Sequence, residues 1–177
     1  MDARVSAGTT MVRVLPLSAH NLERPDSMYV RDLMQSEVVT LNAADSLDLA
    51  DYIMRLGRIR HMPITANGKL VGILSQRDLF RAAISSVLQL RPAAEREWLA
   101  KIPVREAMTA GVCTIAPTAT IHEAVKLMLQ KRIGCLPVLE DHVLVGLLSE
   151  TDCMRYLERL LDISDAKQQL PELPDPD

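Results

Sequence analysis

The spacing of apolar positions changes period repeatedly between residues 38 and 90. Residues 38–41 (Val-Val-Thr-Leu) make a short β-favouring run. Asp45 or Ser46 then offers a helix N-cap, and Leu47, Ala50, Ile53, Met54 and Leu56 recur at helical spacing as far as Gly57. Two further apolar runs, residues 61–65 and 70–74, flank Asn67-Gly68, and Asn-Gly between such runs is the strongest short-range hairpin signal. A second helix starts after Ser75 and carries Leu79, Phe80, Ile84, Val87 and Leu88. The predicted unit is strand, helix, strand, strand, helix.

The same succession is written a second time. Residues 30–81 align with 104–155 without a gap, and seventeen of the 52 pairs are identical, among them Val30/Val104, Met34/Met108, Thr40/Thr114, Arg58/Arg132, Pro63/Pro137, Gly72/Gly146, Ser75/Ser149 and Asp78/Asp152. The second copy has its short strand at 112–115. Its first helix runs from Thr120 through Ile121, Ala124, Val125, Leu127 and Met128, its turn lies at Asp141-His142, and its closing helix carries Met154, Leu157, Leu160 and Leu161. The methionines at 34, 54, 62, 108, 128 and 154 read as core filling, the usual role of a flexible thioether. A period of this kind fixes the fold before any single element does. It predicts an α+β fold of two similar units packed together.

The chain divides into a polar N-terminal segment, 1–27, expected to be mobile, repeat 1 at 28–90, a helical connector at 91–101, repeat 2 at 102–163, and a Pro-rich tail at 164–177. Trp98 in the connector, flanked by Arg96 and Glu97, reads either as part of an interface or as a helix closing over a sheet.

Composition narrows the function classes. The 177 residues are long enough to bury a real core. A net charge of −3 and 3% aromatic residues argue against a nucleic-acid binder, which needs a basic surface or stacking platforms. The sequence has no apolar run of membrane-spanning length, and residues 12–17 are too short and too interrupted for a signal-peptide core, so no membrane role and a cytoplasmic location are expected. Cys113, Cys135 and Cys153 are odd in number and lack C-x-x-C pairing, which fits reduced thiols rather than a disulfide frame or a zinc site. The four histidines are scattered, and no nucleophile elbow, P-loop or H-E-x-x-H occurs, so neither a catalytic residue nor a metal ligand is assigned.

Taken in order, V-R-D-L-M or V-R-E-A-M, V-V-T-L or V-C-T-I, a helix, x-P-I or x-P-V, L-V-G-I-L-S or L-V-G-L-L-S, and S-x-x-D before a helix resemble the cystathionine-β-synthase (CBS) domain family. The resemblance covers about three fifths of the chain. It implies two repeats related by a pseudo-twofold axis, the unit called a Bateman module, with two clefts that take adenosine-containing ligands. It places the adenine pocket at His61 and Pro63 with the backbone of Thr40 in the first copy and at Cys135 and Pro137 with the backbone of Thr114 in the second, and Ile59, Arg60, Ile133 and Gly134, where the cleft strands begin, are further candidate ligand contacts. Ser75, Arg77 and Asp78, and Ser149, Thr151 and Asp152, would hold ribose and phosphate.

The residues themselves leave alternatives open. The N-terminus of a helix suits an anion, and an Asp in its first turn can accept from the vicinal hydroxyls of a ribose. Ser followed three residues later by an acidic residue is equally a capping box. Arg58 and Arg132 fall where a cation complements a helix C-terminus, or where it could meet a phosphate. The first copy offers Arg60, His61 and Arg77 where the second offers Gly134, Cys135 and Thr151, so the first cleft is expected to be better for a charged nucleotide. The expected function is sensing of an adenine nucleotide (AMP, ADP or ATP, with NAD or S-adenosylmethionine less favoured), without catalysis and with no required cofactor. Its output would pass through a homodimer or an unidentified protein target. The competing reading is a ligand-free interaction module in which the S-x-x-D segments are only caps.

Overall fold

The computed structural model describes residues 28–87 and 97–168. The segment 1–27, most of the connector including Arg96, the side chains of Ile84 and Val87, and Leu88 all lie outside what is described. Helix α1 (Val30–Leu33) is followed by β1 (Leu41–Asn42), α2 (Leu47–Gly57), β2 (His61–Ala66), β3 (Lys69–Ser75) and α3 (Gln76–Val87). A short 3-10 turn (Val104–Glu106) opens the second copy, which continues with β4 (Thr109–Ala110), α4 (Ile121–Lys131), β5 (Cys135–Glu140), β6 (Val143–Ser149) and α5 (Glu150–Gln168).

Local chemistry explains these boundaries. Ser46 caps α2 by accepting from the Leu49 N–H, and Thr120 caps α4 within a reciprocal capping box with Glu123. Both helices end on an arginine rather than a glycine: Arg58 and Arg132 stand in the left-handed region with φ 51° and 55°, and both are exposed. Each hairpin turns through two residues of positive φ, Asn67 with Gly68 and Asp141 with His142, which is the backbone of a type I′ turn. The predicted opening strands shrink. Residues 38–41 contribute only Leu41 to β1, and 112–115 contribute a single parallel bridge, Ile115 to Val138, because only their last residues reach a neighbouring strand.

The main feature the repeat pattern does not disclose is a reciprocal exchange. The opening segment of each copy docks on the other copy. The Val30 N–H donates to the Ala119 carbonyl at 2.8 Å, Arg31 N–H to Pro117 at 3.0 Å, and Ile121 N–H to Met28 at 2.9 Å. At the corresponding positions Val104 N–H donates to Asp45 at 2.7 Å, Arg105 N–H to Ala43 at 3.1 Å, and Leu47 N–H to Ile102 at 3.0 Å. Further along, Gln35 exchanges two backbone hydrogen bonds of 2.9 Å with Leu147 on β6, and β4 pairs Thr109 with Ile73 on β3. The first sheet therefore has the order β1-β2-β3-β4, with β4 supplied by the second copy, while β5-β6 receives Gln35 as a single bridge.

The exchange also completes the cores. One core gathers Leu136, Val138, Leu148, Ala124 and Met128 of the second copy around Met28, Val30 and Leu33 of the first. The other gathers Leu47, Ala50, Met54, Met62, Ile64 and Leu74 of the first around Leu99 of the connector and Val104 of the second. Full burial of such a side chain stabilises by about 1.5–3 kcal/mol, so each borrowed segment is a substantial part of the core it enters. Trp98 packs on the first core beside the buried Leu99, as a helix closing over the sheet would.

Two expectations about the core need correction. Met154 is 63% exposed, unlike the other five methionines predicted to fill the core. Leu56, Phe80, Leu157 and Leu161 are also exposed although they obey helical spacing. In α5 the face turned inward carries Asp152, Cys153, Tyr156 and Leu160, so the Met154, Leu157 and Leu161 stripe lies outside the packed face.

Gly72 and Gly146 sit where the exchanged strand crosses. A Cβ on Gly72 would lie 3.0 Å from the Thr109 carbonyl oxygen and against the Met108 sulfur, and one on Gly146 would lie 3.1 Å from the Gln35 carbonyl oxygen and against the Met34 sulfur. Gly146→Ala should therefore destabilise the protein by about 1–3 kcal/mol, since part of the obstruction is backbone. Gly57→Ala meets only the Ile59 side chain at 3.6 Å and should be neutral or stabilising by up to about 1 kcal/mol. Urea melts of the two variants check this contrast; equal effects would contradict the close-crossing account.

Candidate functional site

The two strand-to-helix joints build the candidate site. β3 ends at Ser75 and α3 begins at Gln76 with no intervening loop, and β6 passes to α5 in the same way at Ser149 and Glu150. The helix start is tied to the strand entry beside it, since the Gln76 N–H donates to the Arg60 carbonyl at 2.9 Å and the Glu150 N–H to Gly134 at 3.0 Å. Strand pairing sets His61 opposite Ser75 and Cys135 opposite Ser149. In this way residues distant in sequence, 59–63 with 75–78 and 133–137 with 149–152, share one edge of each copy.

The capping interactions allowed by S-x-x-D are present in both copies. Asp78 Oδ2 accepts from the Ser75 N–H at 2.9 Å and from its hydroxyl at 2.5 Å, and the Asp78 N–H donates to Ser75 Oγ at 3.2 Å. Asp152 repeats the pattern at 2.9, 2.5 and 3.4 Å. Capping consumes Oδ2 and leaves Oδ1 for something else, so the cap and a ligand contact are compatible. The copies part company at Oδ1. That of Asp152 accepts from Gln35 Nε2 at 3.1 Å and lies 3.6 Å from Arg155, and the side chain is 7% exposed. That of Asp78 faces Arg81 at 3.9 Å, and the side chain is 17% exposed.

The remaining predicted residues are distributed as follows. Thr40 and Thr114 are exposed, immediately before the parallel pairings of Leu41 with Ile64 and Ile115 with Val138. Pro63 and Pro137 are buried within β2 and β5. Ile59 and Ile133 are partly buried and pack on the two cores. Arg77 is exposed at the start of α3. Arg60 does not stay with its own copy: its guanidinium crosses to donate to Thr151 Oγ1 at 2.6 Å. The first cleft therefore does not hold all the cations expected of it.

His61 lies between the two helix starts. A Cβ on Gly134 would stand 3.1 Å from His61 Cε1 and 3.3 Å from Glu150 Oε2, so a larger residue there would have to push the ring and the carboxylate aside by a few tenths of an ångström. Burial holds the His61 pKa below the ordinary imidazole value of 6.5, and the Arg60 and Arg77 charges act in the same direction, against Glu150 and Asp78. Burial pushes the Cys135 thiol up to about 12 and the Cys153 thiol to about 11, with the carboxylate of Glu150 adding at Cys135 and that of Asp152 at Cys153. Both thiols are therefore protonated and unreactive near neutrality. Among the described residues no group of three or more His, Cys, Asp or Glu is placed to hold a metal ion. None of the described helices is long and apolar enough to cross a membrane.

Sequence reasoning missed Gln35 and Glu150 as members of this region. Glu150 was accessible in principle, lying inside S-x-x-D opposite Gln76. Gln35 carried no signal, being 117 residues from Asp152 and aligned with a threonine.

A pseudo-symmetric pair of β-α-β-β-α units, each with a capped carboxylate where a strand hands over to a helix, defines the class. The CBS domain profile matches twice, over residues 30–85 and 104–159, and the chain belongs to the CBS domain family. The uncharacterised protein MJ1225 of Methanocaldococcus jannaschii is 32% identical over 145 residues, which cover 76% of this chain and 52% of that protein, so the chain spans about half the length of that relative. A protein of Vibrio cholerae assigned to acetoin utilization (AcuB) is 35% identical, covers 81% of this chain and 98% of its own, and superposes with a TM-score of 0.64. The CBS domain pair of protein MJ0100, solved with 5′-methylthioadenosine and S-adenosyl-L-methionine, is 25% identical with a TM-score of 0.64, covering 75% and 97% of the two chains.

The pH response of the His61 cluster follows from its sign. The unfolded chain protonates an ordinary imidazole below 6.5, whereas the folded protein resists protonation, so stability falls as pH drops from 6.5 through the lower folded value. His61→Gln should flatten that limb. Urea midpoints at pH 7.5 and 5.5 measure it, and an unchanged pH dependence would show that His61 is not held neutral by its surroundings.

Proposed function

We propose that this chain is a regulatory module that senses an adenosine-containing ligand at the strand-to-helix joint, without chemistry of its own. The observation that carries the reading is the Asp78 carboxylate. One oxygen is committed to Ser75, while the other accepts no such cap bond, lies 3.9 Å from the exposed Arg81, and belongs to a partly exposed side chain, so it can accept from a ribose diol. The exposed Arg77 suits a phosphate on the same ligand. Adenosine compounds bound by the MJ0100 pair support the ligand class, in which AMP, ADP and ATP stand first and NAD and S-adenosylmethionine second. The ligand acts as a regulator and no cofactor is required.

The output surface is helical. Tyr52, Leu56, Phe80, Leu129, Met154, Leu157 and Leu161 are exposed apolar side chains on α2, α3, α4 and α5, more than a solvated helix face needs. We assign them to a homodimer or protein-partner contact whose geometry the ligand adjusts.

A thermal-shift panel of AMP, ADP, ATP, NAD, S-adenosylmethionine and 5′-methylthioadenosine tests the proposal. A ligand at 100 times its dissociation constant adds about 2.7 kcal/mol of stability, equivalent to a Tm rise of roughly 5–10 °C for a protein of this size. No response to any of the six at millimolar concentration would leave the ligand-free interaction reading.

A further inference from the structure

We infer that the two clefts are unequal because Gln35 occupies the second, leaving one tight adenosine site per chain, at Asp78. The inference rests on the adenosine reading above and concerns which of the two carboxylates a ribose can use.

The scaffold around the two carboxylates is the same. Ser75 and Ser149 hold Oδ2 through matching hydrogen bonds. The crossing strands are also matched: Gln35 pairs with Leu147, Thr109 pairs with Ile73, and both pairs lie beside a glycine pressed by the crossing carbonyl oxygen. The side chains of Gln35 and Thr109 therefore leave the backbone from equivalent points relative to Asp152 and Asp78. Glutamine is long enough to reach, and its amide donates to Asp152 Oδ1 at 3.1 Å. Threonine is too short to carry a donor that far, and its side chain is exposed.

A ribose entering the second cleft has to displace the Gln35 amide from Asp152 Oδ1. The two hydroxyls would gain an acceptor while a partly buried amide loses one, an exchange that removes roughly one to two decades of affinity relative to Asp78, whose second oxygen lies 3.9 Å from the exposed Arg81 guanidinium. Asp152 is also the more deeply buried of the pair, and Arg60 and Thr151 close together over the same helix start. Among the described residues neither contact has an equivalent beside Asp78, where Thr109 stands in the place of Gln35, and Gly134 and Arg77 in the places of Arg60 and Thr151. Gln35 is thus a specificity-determining residue that acts by occupying the Asp152 oxygen a ribose would use rather than by touching the ligand.

Titration calorimetry with AMP on the full chain tests the inference. The parent protein should show one tight event per chain. Asp78→Asn should weaken it at least tenfold. Gln35→Ala should add a second event, whereas Thr109→Gln should place an amide against Asp78 and weaken the first event about tenfold or more. Thr109→Gln changes an exposed side chain and leaves the strand pairing intact, so its result stands even if Gln35→Ala unfolds. Two equal events in the parent protein, or unchanged binding in Thr109→Gln, would overturn the inequality while leaving adenosine sensing in place. No heat with AMP and none with 5′-methylthioadenosine would instead overturn the adenosine reading, and the inequality with it.

Discussion

Each copy of the repeat lacks a piece of its own core and receives it from the other. Val30 enters the core built on β5 and β6, and Val104 enters the core built on β2 and β3, both completely buried. Three backbone hydrogen bonds fasten each segment at its entry, in a pattern that repeats residue for residue. Neither copy can be removed without opening the core of the other, so the pair is the folding unit. The glycines of L-V-G-x-L-S follow from the same constraint, because a Cβ at either position would press on the crossing strand's carbonyl oxygen at 3.0–3.1 Å and on a methionine sulfur.

The exchange also carries the consequences for function. It brings the crossing strand of one copy to the helix start of the other, which is how Gln35 meets Asp152. Symmetry in the backbone makes two potential sites, and the side chains then distinguish them. His61, Gly134, Glu150, Arg60 and Thr151 cluster between the two helix starts, where protonation or a phosphate would be felt by both copies.

Much of this was legible in the sequence. The offset between the copies identified the repeat, the hairpins at Asn67-Gly68 and Asp141-His142 were marked by turn chemistry, and Ser46 and Thr120 were readable as caps. Local pattern was enough because each of these features is decided within a few residues. The exchange was not legible, since V-R-D-L-M packs equally well, by its own composition, against either copy. The inward face of α5 was misjudged for a related reason. Met154, Leu157 and Leu161 form as good an apolar stripe as Cys153, Tyr156 and Leu160, and only the position of the joint at Ser149 decides which one turns inward. Arg60 likewise reads as a cation of its own cleft until Thr151 is seen within 2.6 Å of it.

Native-state hydrogen exchange is the most direct test of the reciprocal core. The amides of Val30, Ile121, Val104 and Leu47 should exchange only through the same global opening as the central strands β2, β3, β5 and β6, with one free energy and one denaturant dependence. Exchange of Val30 and Val104 through small local openings, while the strands stay protected, would show that the crossing segments are accessory and would contradict the account.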